Sequence, residues 1–393
     1  MTSSTKRIAI NIGSGYVPGL DFVVAGAALA ADQLGTELFG IRDGYDGLLY
    51  PDRYPKGGLV QLRPDIAQAA GHGGSLIGTA ARTDPFHVRS LGADNEVEEL
   101  DRADDVLKAL KGAGIEAVIS LVGGSAVTGL HALSVAFKLH RRGLRTVCIP
   151  KSAENDIAAV PQAFGYNSVL SHTAQALEQI RNGALDIGRI AVVEVPGQHS
   201  GWLALQSGLA ALANVILIPE IPYDLARVAS QLAVQAKAGN RPALVVVAEG
   251  ARPAAPLQPL DEEPGGLRAS LAPNADLSLG EGEHIIDRSG AAASAVATEL
   301  QRLTNEETLP FSLGHLVRGG APTSVDRQLG LAYGARAVRA LQEGENGVMV
   351  VFDPPKMWMT PLQETLRQVR TVQVVSEVMQ AARDLGIAFG DGR

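Results

Sequence analysis

The sequence predicts an α/β fold with mainly parallel sheet, and three observations carry that prediction. Short runs rich in Val and Ile recur, as in "RIAINIG", "EAVISLVGG", "RTVCIP", "RIAVVEV", "NVILIPE", "PALVVVAEG" and "GVMVVF". Near-continuous apolar strands of this kind read as parallel strands buried on both faces. Each run leads into a glycine-bearing turn and then a helix-like segment, the alternation expected of βαβ units. A length of 393 residues at 46% hydrophobic composition supplies enough apolar mass for two cores rather than one.

Composition narrows the function classes. The formal net charge of −8 argues against non-specific binding to nucleic acid or to anionic membranes, so any phosphate ligand must be met by a local cluster of Arg and Lys. Cys148 is the single cysteine; this excludes an intrachain disulfide and a Cys-rich zinc site and fits a reducing, cytoplasmic setting. Its place in an apolar run points to core packing. The opening "MTSSTKRIAINIG" lacks a long apolar stretch, and nowhere do about twenty apolar residues run together, so secretion and membrane spanning are not expected. No fixed-period repeat is present.

Taken in order, the turns carry the chemistry. After the first apolar run, "NIGSGYVPGLDFVVAGAALAADQLG" places Gly13 and Gly15 where backbone can approach a phosphate, with Pro18 in the first turn of an amphipathic helix. "GGSLIGTAARTDPF" adds Arg82. "SLVGGSAVTGLHAL" repeats the glycine design with Gly123 and Gly124, and Ser125 is able to cap the helix beyond. The turn "PKSAENDIA", 150–158, puts one cation and two acids directly after "TVCI"; a solvated charged loop is its plain reading. Residues 251–290 are dense in Pro, Gly and acids and read as a long surface excursion. Near the end, "SLGHLVRGGAPTSVDRQLG" sets His315 three residues before Arg318, with Gly319 and Gly320 following, a composition from which an anion site is readily built.

Together and in order, these segments resemble the phosphofructokinase family, most closely its pyrophosphate-dependent bacterial branch. The likeness runs through "GSGYVPGLD", "GIRDGYDGLL", "IPKSAENDI", "FGYNSVLSHTAQALEQI", "RIAVVEVPGQHSGWLAL", "NVILIPEIPYD", "VVVAEGA", "LGHLVRGGAPTSVDR" and "ARDLGIAFGD". It implies two similar Rossmann-like lobes: residues 1–164, completed by about 317–370, for the phosphoryl donor, and 165–316, with about 371–393 packing across, for the sugar phosphate. The 150–158 turn looks like the family's catalytic loop. Lys151 matches the pyrophosphate branch, Ser152 stands for Thr, Glu154 stands for the aspartate that acts as base on the sugar hydroxyl, and Asp156 is kept. Gly13, Gly15, Tyr16, Arg82, Gly123, Gly124 and Ser125 fall at donor positions. Glu220, His315 and Arg318 match sugar and sugar-phosphate contacts, with Ser152, Gly197 and Gln198 beside them, and Arg189 matches an arginine supplied by a neighbouring subunit, which implies a homo-oligomer, dimer or tetramer.

The departures are concentrated. Glutamate can accept a proton as aspartate does, but its added methylene displaces the oxygen, and a misplacement of about an ångström can cost on the order of a hundredfold in rate. Ser125 and Ala126 replace the acids of the family's second glycine turn, so the usual acidic ligand for Mg2+ is absent. Tyr16 stands for an acid at the donor lip, Leu309 for a phosphate-binding arginine, and Gln198 for a cation expected to stabilise charge in transfer. Three readings follow: an active glycolytic phosphotransferase on fructose 6-phosphate, with pyrophosphate preferred to ATP and Mg2+ required; a binding-only paralogue serving as sensor or partner subunit; and a kinase for a less charged acceptor.

Overall fold

The computed structural model describes residues 5–71, 74–79, 84–91, 96–123, 132–255, 290–366 and 368–392. Arg82, Gly124 and Ser125, and the bulk of the expected excursion at 251–290, lie outside those residues. Along the chain the strands are β1 (Arg7–Ile12), β2 (Glu37–Ile41), β3 (Leu59–Leu62), β4 (Val88–Leu91), β5 (Val97–Leu100), β6 (Ala117–Val122), β7 (Thr146–Pro150), β8 (Ile190–Val195), β9 (Val215–Leu217), β10 (Leu244–Ala248), β11 (Thr308–Ser312), β12 (Val348–Asp353) and β13 (Lys356–Pro361). The helices are α1 (Leu20–Gln33), α2 (Asp46–Leu49), α3 (Ala103–Gly112), α4 (Ala132–Arg141), α5 (Tyr166–Ile187), α6 (Trp202–Ala210), α7 (Leu225–Lys237), α8 (Ala291–Thr304), α9 (Ser324–Gln342), α10 (Leu362–Thr365) and α11 (Glu377–Asp384). Every Val/Ile-rich run quoted above forms a strand. The chain divides into two compact units, Met1–Val169 with Arg318–Arg370, and Leu170–Val317 with Thr371–Arg393.

The first unit is built on a seven-stranded sheet in the order β13-β12-β7-β6-β1-β2-β3, whose inner strands β2, β1, β6, β7 and β12 run parallel. Ile8, Ile10 and Ile12 of β1 are fully buried, as expected of a strand covered on both faces; each such side chain contributes about 1.5–3 kcal/mol relative to exposure. From β1 the chain moves outward to β2 and later returns to β6 on the other side, so the order reverses between β1 and β6. At such a reversal the connections leave on opposite faces and open a crevice beyond the carboxyl ends of the strands.

Two expectations for α1 need correction. Pro18 lies outside the helix, because Gly19 in the left-handed region (φ 89°) separates it from Leu20, where the helix starts. Nor is α1 one-faced: Leu20, Val23, Val24, Ala25, Ala27 and Ala28 are all buried, since α9, β2 and the 3-10 turn Pro64–Ala69 pack around it. Its seam with α9 is backbone on backbone. A Cβ on Gly26 would overlap the main chain of Leu331, and one on Gly334 would overlap the carbonyl of Val23. Buried Asp326 then ties α9 to the start of α5, accepting from the amides of Gly165 (2.9 Å) and Ser168 (2.6 Å).

The second unit holds a four-stranded, all-parallel sheet in the order β11-β8-β10-β9. Here the order reverses between β8 and β11. Pro310 sits within β11, which its edge position permits, because the proline has no N–H to give a further strand. Buried Glu194 of β8 accepts from the amides of Gly290 (2.6 Å), Ala292 (2.8 Å) and Ala293 (3.1 Å). The carboxylate thereby satisfies the first N–H groups of α8, where the helix dipole favours negative charge.

Candidate active site

In the first unit the reversal between β1 and β6 brings together the turn after β1 and Gly123 at the end of β6, with the 151–156 turn following from neighbouring β7. Gly13 continues the β-ladder, donating to the Leu121 carbonyl (2.9 Å), and a Cβ on it would overlap that of Ala132. Gly15 has φ 89°, a conformation favourable only to glycine. The expected phosphate cradle has a different polarity from the one an anion needs. Lys151 Nζ donates to the carbonyls of Ser14 and Gly15, the latter at 2.8 Å, so the turn offers oxygen acceptors to a lysine. Gly123 packs on the Lys151 carbonyl, leaving no room for a Cβ. Tyr16 is only half-buried, and its hydroxyl accepts from the amide of Gly74 at 3.0 Å; the side chain at the expected donor lip anchors a neighbouring loop.

The 151–156 turn is held from within. Ser152 Oγ accepts from the amides of Glu154 and Asn155, both at 3.0 Å, and donates to Asp156 Oδ1 at 2.7 Å. Ser152, expected beside the substrate, thus has its hydrogen-bonding capacity taken up by the turn. Asn155 adopts the left-handed conformation (φ 55°), which asparagine tolerates better than most residues. Its side chain accepts from Ala163 N (2.8 Å) and donates to the Pro161 carbonyl (3.2 Å). From outside, Arg370 donates its backbone N–H to the Asp156 carbonyl (2.8 Å) and its guanidinium to the Asn155 carbonyl (3.0 Å). Sequence reasoning missed Arg370; it stands 215 residues from Asn155, in a stretch with no motif.

Three charges converge here. Glu154 has a side chain 19% exposed, and Arg318 lies 3.5 Å from its carboxylate, an ion pair too long for a good hydrogen bond. Arg318 Nε is buried with no hydrogen-bond partner. Lys151 is buried, and that burial, followed by the neighbouring Arg318 cation, lowers its ammonium from the usual range to about 7. A base that reaches solvent, an arginine with an unmatched donor and a lysine poised near neutrality suit proton removal from a hydroxyl beside a bound anion.

In the second unit the residues assigned to the sugar side fall into two groups. Gly197 follows β8 by two residues and His315 follows β11 by three, so both stand beyond the carboxyl ends of the strands that flank the reversal. Gly197 has φ 154° and accepts from Gly250 N (3.0 Å), while the Gln198 main chain packs directly on Gly250. His315 is exposed, on the 3-10 turn Gly314–Arg318. Glu220, expected as a sugar contact, is engaged by backbone amides. Both of its oxygens accept from Gly201 N (3.0 and 3.1 Å), the residue just before α6, and one also accepts from Val372 N (2.7 Å). Arg189 is not with this group; it precedes β8, about 20 Å from the strand's far end at ~3.3 Å per residue, and pairs with Glu307 on the surface.

The profile of the family described as Phosphofructokinase matches residues 7–341. The ATP-dependent 6-phosphofructokinase of Chloroflexus aurantiacus is 34% identical over 391 residues, covering 100% of this chain and 99% of that protein. ATP-dependent 6-phosphofructokinase 2 of Streptomyces coelicolor is 32% identical over 372 residues, 93% of this chain and 96% of its own. Among solved structures, Pichia pastoris phosphofructokinase in the T-state superposes with a TM-score of 0.70 at 23% identity over 98% of this chain; the chain spans only 37% of that larger protein. The pyrophosphate-dependent phosphofructokinase of Marinobacter aquaeolei gives 0.68 at 17% identity, covering 97% of this chain and 90% of its own, a likeness of fold. With a family match over residues 7–341 and relatives above 30% identity along nearly the whole length, the chain belongs to the phosphofructokinase family.

Proposed function

We propose that the protein is an active phosphotransferase whose acceptor is a sugar phosphate of the fructose 6-phosphate type. The observation that carries the reading is Glu154: a solvent-reaching carboxylate beside Arg318, on a turn fixed by Ser152 and Arg370. Glu154 takes the proton of the attacking hydroxyl, and Lys151 and Arg318 stabilise the charge that develops on the transferred group. Gly197, Gln198 and His315 contribute to acceptor binding, with Glu220 and Ser152 reassigned to positioning. Arg189, remote from these residues within its own chain, would serve a second copy, so a homo-oligomer is part of the proposal. Lys151 matches the pyrophosphate branch, but the relatives carry ATP in their names, and we take ATP as the donor. Arg82, Gly124 and Ser125 remain assigned to donor binding by resemblance alone.

Among the described residues no group of three or more His, Cys, Asp or Glu is placed to hold a metal ion; Glu154 faces Arg318, and Asp156 engages Ser152. These residues do not make a magnesium site. The ion would have to enter on the oxygens of the donor. Also among the described residues, no helix is long and apolar enough to cross a membrane.

The test is phosphoryl transfer to fructose 6-phosphate from ATP and, separately, from pyrophosphate, with magnesium. Transfer from ATP is expected, and Glu154→Gln should lower kcat by about 10²–10⁴-fold. Absence of turnover with either donor overturns the reading. Thermal stabilisation by fructose 6-phosphate without turnover would favour the binding-only paralogue, and turnover restricted to an uncharged sugar or polyol would favour the altered acceptor.

A further inference from the structure

The first unit has a cavity of about 590 Å³ between residues 159–161, just past the 151–156 turn, and the outermost strand of the sheet, β13. That volume lies in the range of small-molecule sites. Trp358 of β13 lines it with a side chain left 51% exposed, next to Met359 and Pro161. Charges of both signs line it as well: half-buried Arg370, and Glu364 of α10, whose carboxylate accepts from the Thr360 hydroxyl at 3.1 Å. The cavity and the turn share supports. Arg370 holds the carbonyls of Asn155 and Asp156, and the Pro161 carbonyl accepts from the Asn155 side chain at 3.2 Å. Exposed Ala159, also on the wall, adopts the left-handed region at φ 59°, where its Cβ crowds the following carbonyl; strain of this kind gathers at ligand clamps.

We propose that this cavity is an effector site for a small organic zwitterion with an apolar body, such as an amino acid of the phenylalanine type. Its carboxylate meets Arg370, its ammonium meets Glu364, and its body lies against Trp358 and Pro161. A ligand with a single charge leaves one of the two charged walls unmatched, whereas a zwitterion complements both. An aromatic ring gains further from the indole face. A guanidinium presents five N–H donors in a planar fork, so Arg370 can hold the Asn155 carbonyl and a carboxylate together. Occupancy therefore fixes Arg370 and, through it, tightens the turn that carries Glu154. Binding and tightening stand apart from the proposed function; only their consequence for phosphoryl transfer rests on that reading.

The experiment is a fluorescence titration of the full-length protein. The chain's tryptophans are Trp202 and Trp358, so the Trp358 signal is the part lost in Trp358→Phe. The probes are L-phenylalanine and two compounds that keep one charge each, 3-phenylpropionate and 2-phenylethylamine. A saturable change in Trp358 emission is expected with L-phenylalanine at millimolar concentration, and both single-charge compounds should bind more weakly, by roughly threefold or more. Glu364→Gln should weaken L-phenylalanine by a similar factor and leave 3-phenylpropionate unchanged. Hydrogen exchange of the 151–163 backbone, followed by mass spectrometry, should slow when L-phenylalanine is saturating. No saturable change at tens of millimolar overturns the proposal. Equal affinity for all three compounds does so too, as does a Glu364→Gln protein that binds L-phenylalanine as the wild type does. Exchange across 151–163 that bound ligand leaves unchanged also overturns it. Slowed exchange in a protein that turns over with neither ATP nor pyrophosphate supports the effector site while the proposed function fails.

Discussion

Ser152 and Lys151 show how single residues set this site. The Ser152 hydroxyl makes three hydrogen bonds inside one turn, so Ser152→Ala leaves two amides and a carboxylate oxygen without their partner. A loss of about 1–3 kcal/mol in denaturant unfolding is expected, with Ser152→Thr restoring much of it; equal stability in all three proteins would refute the role. Lys151 gives a pH dependence whose sign follows from its lowered folded-state value. Below about 7 the lysine is charged both folded and unfolded, and the cost of burying the ammonium is felt in full. Between about 7 and 10.5 the folded protein has released the proton while the unfolded chain retains it, so stability rises with pH. The melting temperature of the wild type minus that of Lys151→Met should therefore climb from pH 7 to pH 9.5 and be flat from pH 5.5 to 6.5. A flat difference throughout would show that this lysine is ordinary.

At the scale of elements, the α1 and α9 seam and the glycine turns obey the same physics, close approach of backbone to backbone. Gly334 meets the main chain of α1 with no space for a methyl group. Gly334→Ala must push the helices apart, and an overpacking cost of about 1–3 kcal/mol is expected in urea unfolding; a neutral substitution would mean that the seam is looser than described. The strands were legible because Val and Ile recur in runs bounded by glycine, whereas β11 was not, with Pro310 inside it and a half-exposed face. The 150–158 turn was legible from its charges. Its supports were not, because Arg370 and the carbonyls of Ser14 and Gly15 lie 215, 137 and 136 residues from their partners, and no local pattern encodes a contact at that separation. The amide partners of Glu220, which was assigned by resemblance, were equally hidden, because Gly201 and Val372 stand 19 and 152 residues from it.

For the whole molecule, two α/β units were readable from composition and strand recurrence, and the family from ordered motifs; the donor was not, since Lys151 and the relatives' names point different ways. One feature of the larger sheet makes the molecule its own probe. Cys148 lies in β7 with no exposed surface, its thiol pushed up to about 12 by burial, so a thiol reagent should leave the native protein unlabelled for hours and react at once in denaturant. Rapid native labelling would contradict that burial. Because this is the only cysteine in the chain, the slow labelling rate counts openings of the seven-stranded sheet and no others. Compared with the loss of helical circular dichroism, it reveals whether the two units melt in one cooperative event or in sequence, without any engineered label.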